Sequence, residues 1–274
     1  MVRVAIAGKG GVGKTLVAAG LAMTFARSGL RTLAIDADPS PNLALMLGLD
    51  SDEAEAILPI SRNENLIRKK TATPYPGVYN LSFSVEDIVR RYSVPTPSGA
   101  YLLVLGTIDR MGGGCSCPAN TVLKNLLHHI VTGPDDAVVL DMEAGVEHLG
   151  RGTAGNVDLF LVVSTPDSRA LSAAGSIARI AKEGGIPRVM LAGNRVGNQK
   201  EEDLIRSFGQ KNGIPVLGMI PSDPRVSDAG IAGESVLQLE SSVALTSVRA
   251  MAMTILNEPG KGEKRGRQQD SDGT

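Results

Sequence analysis

The stretch Gly-Lys-Gly-Gly-Val-Gly-Lys-Thr at residues 8–15 decides the fold, because it matches the phosphate-binding pattern G-x-x-x-x-G-K-[ST]. Glycines in such a loop let backbone N–H groups surround nucleotide phosphates. Lys14 can reach the β- and γ-phosphates, and the Thr15 hydroxyl is a ligand for Mg²⁺. The residues expected to contact phosphate are Gly8, Gly10, Gly11, Val12, Gly13, Lys14 and Thr15.

The surroundings of the loop predict a strand, a loop and a helix in succession. Residues 2–7 form a short apolar run, and residues 15–27 carry apolar side chains at helical spacing. Further strands are predicted at 32–35, 102–105, 137–140, 159–163, 189–192 and 215–220, and helices at 85–92, 119–131, 168–183, 201–210 and 241–256. This alternation predicts an α/β fold with a mainly parallel sheet and helices on both faces.

Length and composition favour one domain. The chain has 274 residues, of which 42% are hydrophobic and only 3% aromatic, as expected for a buried parallel sheet rich in aliphatic side chains. We expect a single domain at residues 1–257 with an elaboration at about 50–100. Residues 258–274 have mixed charge and lack an apolar face, so we expect a disordered tail.

Charge and cysteine content limit the classes of partner and compartment. The net charge of −1 gives no reason to expect a nucleic-acid partner. We find no apolar run of about 20 residues, the length needed to span a bilayer, and no cleavable signal. We therefore expect a cytoplasmic protein without a membrane partner. The two cysteines are two residues apart, so a disulfide between them would be strained.

Two carboxylates follow predicted strands and are expected to face the phosphate loop. We assign Asp38 to orienting or deprotonating the attacking water, and Asp141 to holding Mg²⁺ directly or through water. Gly145 is expected to offer its backbone N–H to the γ-phosphate. The alternative is that such aspartates, above all Asp36, only cap turns or helices.

Asn194 closes a strand where an amide could bind a purine base. Residues 194–197 contain no carboxylate that would select guanine. We therefore expect ATP in preference to GTP, with Pro221 and Asp223 in the loop around the adenine.

The early lysine of the loop, Lys9, makes the pattern more specific. Together with Asp38-Pro39 and Asp141-x-x-Ala-Gly145 it resembles the MinD, ParA and nitrogenase-iron-protein branch of P-loop ATPases, the deviant Walker A type. The resemblance implies a homodimer in which Lys9 reaches the partner's nucleotide as an arginine finger does. It places catalysis on Lys9, Lys14 and Asp38. The alternative is a solvated loop lysine.

Both cysteines lie in the short segment Cys115-Ser116-Cys117, between three glycines and Pro118. The nearby start of a predicted helix favours thiolates, which bind soft metals such as Ni²⁺ or Zn²⁺. A closed thiolate site uses four ligands, so two chains meeting at a twofold axis would supply a Cys₄ site. The alternative is a pair of small buried thiols.

Residues 111–120 (MGGGCSCPAN) and 141–153 (DMEAGVEHLGRGT) resemble CooC-type ATPases, which mature nickel carbon monoxide dehydrogenase. The similarity runs from Val2 to about Leu256. It implies ATP-dependent dimerisation, a metal held between subunits by Cys115 and Cys117, and nickel delivery to the dehydrogenase or a related enzyme. Ser222 departs from the pattern, since a bulkier residue is expected there.

Two other functions stay open from the sequence. An iron-protein-like reductase would hold a [4Fe–4S] cluster between subunits, although that family takes its cysteines from two separate loops. A partitioning or positioning ATPase would need a basic surface or a C-terminal amphipathic helix, and residues 258–274 supply neither.

Overall fold

The computed structural model describes residues 1–38, 42–75, 80, 83–106, 122, 125–126, 133–142, 157–232, 235, 237, 239 and 241–257. The strands there are β1 (Val2–Ala7), β2 (Arg31–Ala37), β3 (Val94–Pro95), β4 (Tyr101–Val104), β5 (Asp136–Met142), β6 (Leu159–Ser164), β7 (Val189–Val196) and β8 (Val216–Pro221). The helices there are α1 (Lys14–Arg27), α2 (Leu43–Met46), α3 (Ser51–Ala56), a 3₁₀ turn (Ile60–Arg62), α4 (Glu64–Thr71), α5 (Glu86–Tyr92), α6 (Ser168–Glu183), α7 (Gln199–Lys211), α8 (Pro224–Ala232) and α9 (Val243–Asn257).

The strands form one sheet in the order β3-β4-β2-β5-β1-β6-β7-β8. All neighbouring strands are parallel except β3 and β4. The predicted α/β fold with a mainly parallel sheet is therefore confirmed. The sequence analysis missed β3, a two-residue edge strand that contains Pro95, a residue that strands tolerate only at an edge.

The sheet is buried on both faces, which explains why its strands read as continuous apolar runs. In β1, Val4 and Ile6 pack with α1 and α9, whereas Ala5 and Ala7 pack with α6 on the opposite face. This division follows from the two-residue period of a strand. Helices α1 and α9 pack against each other on one face of the sheet, where α1 lies over β2 and β5 and α9 lies over β8. The residues of α1 from Leu16 to Phe25 are buried.

The helix predictions are most accurate where the helical spacing of apolar residues extends over many residues. The predicted helix at 168–183 has the bounds of α6, and the ends of α7 and α9 differ by one or two residues from prediction. The predictions missed α2, α3, α4 and α8. The helix predicted at 119–131 lies almost wholly outside the described residues, as does the tail at 258–274. Within the described ranges, we find no helix with the length and apolarity that crossing a bilayer requires.

Candidate nucleotide-binding site

The phosphate loop has the backbone conformation that its glycines allow. Gly11 and Gly13 have φ angles of 79° and 93°, in the left-handed region that glycine tolerates. Gly13 is the N-cap of α1, so the positive end of this helix lies at the loop. A Cβ on Gly8 would lie 2.4 Å from the Val163 carbonyl oxygen in β6, which leaves no room for another residue.

The two lysines of the loop occupy different environments. Lys14 is buried, and its Nζ donates to the Lys9 carbonyl oxygen at 3.4 Å. The Lys9 side chain is exposed. Its charge is one of the smaller causes that hold the pKa of Asp167 below the usual range, after the hydrogen bond from Thr165 and the backbone N–H of Ala170.

Two buried carboxylates lie side by side at the carboxyl ends of β2 and β5, where Asp36 and Asp141 are register partners. Burial, followed by the charge of Asp141, raises the pKa of Asp36 to about 7. Burial also raises the pKa of Asp141 to about 6, although a hydrogen bond with Thr15 and the charge of Lys14 oppose the shift. The site therefore favours the binding of positive charge.

The Asp141 carboxylate has a free acceptor beside the loop. Its Oδ1 is buried and accepts no hydrogen bond from the part of the chain that the structure describes. An unpaired buried carboxylate oxygen is costly, and a hard cation such as Mg²⁺ prefers oxygen ligands. Asp141 and the Thr15 hydroxyl are therefore suitable ligands for the Mg²⁺ ion that accompanies a nucleoside triphosphate.

Asp36 fixes the turn that carries Asp38. Its Oδ1 accepts from the backbone N–H of Asp38 at 3.0 Å, and its Oδ2 accepts from that of Leu43 at 3.2 Å. Asp36 thus makes the backbone contacts that the alternative interpretation, a residue that caps turns or helices, predicts. Asp38 is half-buried, and its charge contributes to the raised pKa of both Asp36 and Asp141.

Asn194 binds the phosphate loop itself. This buried residue at the end of β7 donates from Nδ2 to the Val12 carbonyl oxygen at 2.7 Å. Its Oδ1 accepts from the backbone N–H of Arg195 at 2.9 Å, and Arg195 has a φ of 56°. The sequence analysis missed this contact, because residues 182 apart carry no local signal. The predicted contact between Asn194 and adenine stays a prediction.

The Asp223 carboxylate also makes internal hydrogen bonds. It accepts from the Ser242 hydroxyl at 2.5 Å, the Arg225 backbone N–H at 3.1 Å and the Ala244 backbone N–H at 3.5 Å. These bonds, led by that of Ser242, hold its pKa below the usual range. Pro221 ends β8 two residues earlier. The adenine contacts assigned to Pro221 and Asp223 stay predictions.

Three predicted site residues, Cys115, Cys117 and Gly145, lie outside the described residues. The described ranges contain no group of three or more His, Cys, Asp or Glu side chains placed to hold a metal ion. The metal and γ-phosphate contacts predicted for these three residues are therefore untested.

Comparisons with known proteins agree with this geometry. Residues 4–236 match the family model described as the CobQ/CobB/MinD/ParA nucleotide binding domain. The carbon monoxide dehydrogenase accessory protein CooC of Rhodospirillum rubrum is 36% identical over 260 residues, which are 94% of this chain and 97% of that protein. An uncharacterized ATP-binding protein of Methanocaldococcus jannaschii is 36% identical over 245 residues, which are 88% of this chain and 93% of that protein.

Solved structures show the same fold at lower sequence identity. The MinC:MinD cell division protein complex of Aquifex aeolicus matches with a TM-score of 0.67 at 19% identity, over 95% of this chain and 97% of that chain. The septum site-determining protein MinD of Pyrococcus horikoshii, complexed with Mg-ADP, matches with a TM-score of 0.66 at 18% identity, over 93% and 95% of the two chains.

Proposed function

Since the chain belongs to the CobQ/CobB/MinD/ParA nucleotide-binding family, and within it resembles CooC over nearly its whole length, we propose that it is an ATP-dependent metallochaperone. In this proposal it hydrolyses ATP to ADP and phosphate, dimerises when ATP and metal bind, and supports nickel insertion into carbon monoxide dehydrogenase or a related enzyme. Nickel is the cargo, and zinc is the other ion that the proposed site would accept.

The observation that carries the ATPase part of the proposal is the Oδ1 of Asp141, which has no hydrogen-bond partner among the described residues. It is buried beside Thr15 and Lys14, at the end of a strand that faces the phosphate loop. Mg²⁺ held there with a nucleotide would neutralise charge that develops on the phosphates. The position of this oxygen therefore supports binding of a magnesium-bound triphosphate in preference to a neutral ligand.

The other residues of the site then have defined roles. Backbone N–H groups of the loop and the N-terminus of α1 bind phosphate oxygens, and Lys14 exchanges its bond with the Lys9 carbonyl for the β- and γ-phosphates. Asp38 orients the attacking water from the turn that Asp36 holds. The exposed Lys9 crosses to the partner's nucleotide and stabilises transition-state charge, an effect that is worth about 10³–10⁵ in rate for arginine fingers.

The metal part of the proposal depends on Cys115 and Cys117. Two chains contribute two thiolates each to one ion, which completes the four ligands that a closed thiolate site uses. The similarity to CooC spans this segment and supports the assignment. ATP binding closes the dimer and assembles the site, and hydrolysis opens it for transfer of the metal.

Metal analysis of purified protein tests this assignment. We expect Cys115→Ser/Cys117→Ser protein to lose one nickel or zinc ion per two chains while ATP binding at the phosphate loop survives. Ser116→Ala protein, which changes the same segment and keeps both thiols, is the matched control and should retain the metal. Equal metal content in the double variant and wild type would contradict the assignment.

A further inference from the structure

A group of exposed cations lies on the 3₁₀ turn at Ile60–Arg62 and on the two short helices α4 and α5. The basic surface consists of Arg62, Arg68, Lys69, Arg90 and Arg91, all of which are exposed. Residues 57–92 contain six Lys and Arg against three Asp and Glu, whereas the whole chain has a net charge of −1. Positive charge is therefore concentrated here on a chain that is slightly acidic overall.

The cations of the basic surface are free to meet a partner. Within the described residues, the side chains of Arg62, Arg68, Lys69 and Arg90 have no hydrogen-bond or ion-pair partner, and the Arg91 guanidinium lies 5.8 Å from the centroid of the Tyr92 ring. In contrast, the neighbouring Lys70 is fully engaged and is not part of the basic surface.

Lys70 joins the two helices into one unit. Its Nζ donates to the Asp87 carboxylate at 2.6 Å and to the Ser84 carbonyl oxygen at 2.8 Å, and it lies 5.7 Å from the centroid of the Phe83 ring. Leu66 of α4 and Ile88 of α5 are both buried in the same core cluster. The cations of α4 and α5 are thus held in one arrangement.

This unit is attached where the chain leaves β4 toward the cysteines. The backbone N–H of Ser61 donates to the Leu105 carbonyl oxygen at 2.9 Å. Gly106 has a φ of 75°, and a Cβ there would lie 2.4 Å from the Ser61 Oγ. Cys115 follows Gly106 by nine residues, which span at most about 32 Å when fully extended. The point where this unit is attached therefore lies no more than about 32 Å from Cys115.

We propose that the basic surface docks an acidic patch on the enzyme that receives the metal. The inference rests on the proposed function and adds the face through which the client binds. A client bound to a surface that is attached nine residues before Cys115 would be held within reach of the metal, and complementary charge fixes orientation and accelerates encounter. Glu64 and Glu86 lie among the cations. This mixture suits a protein surface better than a nucleic acid, whose binding needs cations matched to a run of phosphates.

Binding of nickel-free carbon monoxide dehydrogenase to the full chain, loaded with a non-hydrolysable ATP analogue, tests the proposal. The basic-surface variant is Arg68→Glu/Lys69→Glu/Arg90→Glu. The matched control is Lys200→Glu/Lys211→Glu/Arg249→Glu, which makes the same charge change at three exposed cations elsewhere. We expect the dissociation constant of the first variant to rise about tenfold or more at low salt and that of the control to stay near wild type.

Salt dependence and ATPase activity complete the test. The difference between the variants should shrink at about 1 M salt, where the screening length is about 3 Å, and the ATPase activity of both should match wild type. Equal binding by the two variants would overturn the docking surface and leave the proposed function standing. Wild-type protein that fails to bind the dehydrogenase would overturn both. Charge-dependent binding of duplex DNA by this surface, without binding of the dehydrogenase, would overturn the inference in favour of a nucleic-acid partner.

Discussion

Replacing Asn194 with alanine should loosen the phosphate loop in the absence of nucleotide. The substitution removes the bond to the Val12 carbonyl oxygen at 2.7 Å and the bond from the Arg195 N–H at 2.9 Å. A net hydrogen bond contributes about 1 kcal/mol, and a buried group left unpaired costs about 1–3 kcal/mol. Arg195 is exposed, so water can accept a hydrogen bond from its backbone N–H in place of Asn194. Val12 is buried, so its carbonyl oxygen is left without a donor. We therefore expect a loss of about 2–3 kcal/mol in the free energy of unfolding.

Urea denaturation of the nucleotide-free protein measures this loss. The matched control is Asn198→Ala, which removes an exposed N-cap bond from the Glu201 N–H at 3.1 Å and should cost about 1 kcal/mol. Asn194→Ala should also weaken Mg·ADP binding, because the loop loses its anchor, while Asn198→Ala should leave the affinity unchanged. If Asn194→Ala costs no more stability than the control, the anchoring role is refuted. If Asn194→Ala lowers the ADP affinity without lowering the stability, the role of Asn194 would be to bind the base and not to anchor the loop.

Three further predictions concern the packing of α1, the buried carboxylates and the proposed dimer. Gly20→Ala should lower the melting temperature in a thermal scan, because a Cβ there would lie 2.6 Å from a Val248 methyl group, and overpacking costs about 1–3 kcal/mol. Burial raises the pKa of Asp36 to about 7, so the folded state holds this proton more tightly than the unfolded chain. The unfolding free energy should therefore decline as the pH rises from about 4 to about 7, and Asp36→Asn should flatten that decline in urea titrations. Lys9→Ala should lower phosphate release by about 10³-fold or more while ADP affinity, measured by calorimetry, stays within about twofold; unchanged turnover would contradict a role in trans.

Local sequence patterns predicted most of the fold because the central strands are buried on both faces. A continuous apolar run such as 159–163 has few alternatives to a buried strand when loops and helical patterns flank it. The conformation of the phosphate loop was equally predictable, because the pattern of its glycines and Lys14 is local in sequence and is typical of one backbone conformation. The missed helices α3 and α4 are short, and α3 has no buried residue. Their hydrophobic periodicity was therefore too weak to detect.

The tertiary contacts of the site could not be predicted in the same way. Asn194 meets Val12 only because β7 and the loop end at the same edge of the sheet. The pairing of Asp36 with Asp141 likewise depends on the strand order, which places β2 beside β5. Neither contact has a signature at short sequence separation. The sequence could suggest which residue types form the site, but their partners depended on the register and order of the strands.

The paired carboxylates link cation binding to the position of Asp38. The negative charge of Asp141 raises the pKa of Asp36. A cation bound beside Asp141 would offset that charge, and so would favour the ionised form of Asp36. The ionised carboxylate accepts more strongly from the backbone N–H groups of Asp38 and Leu43. The turn that holds Asp38, the residue proposed to orient water, should therefore become more rigid when a magnesium-bound nucleotide binds. Backbone amide exchange at Leu43 that is no slower with Mg·ADP than without it would contradict this coupling.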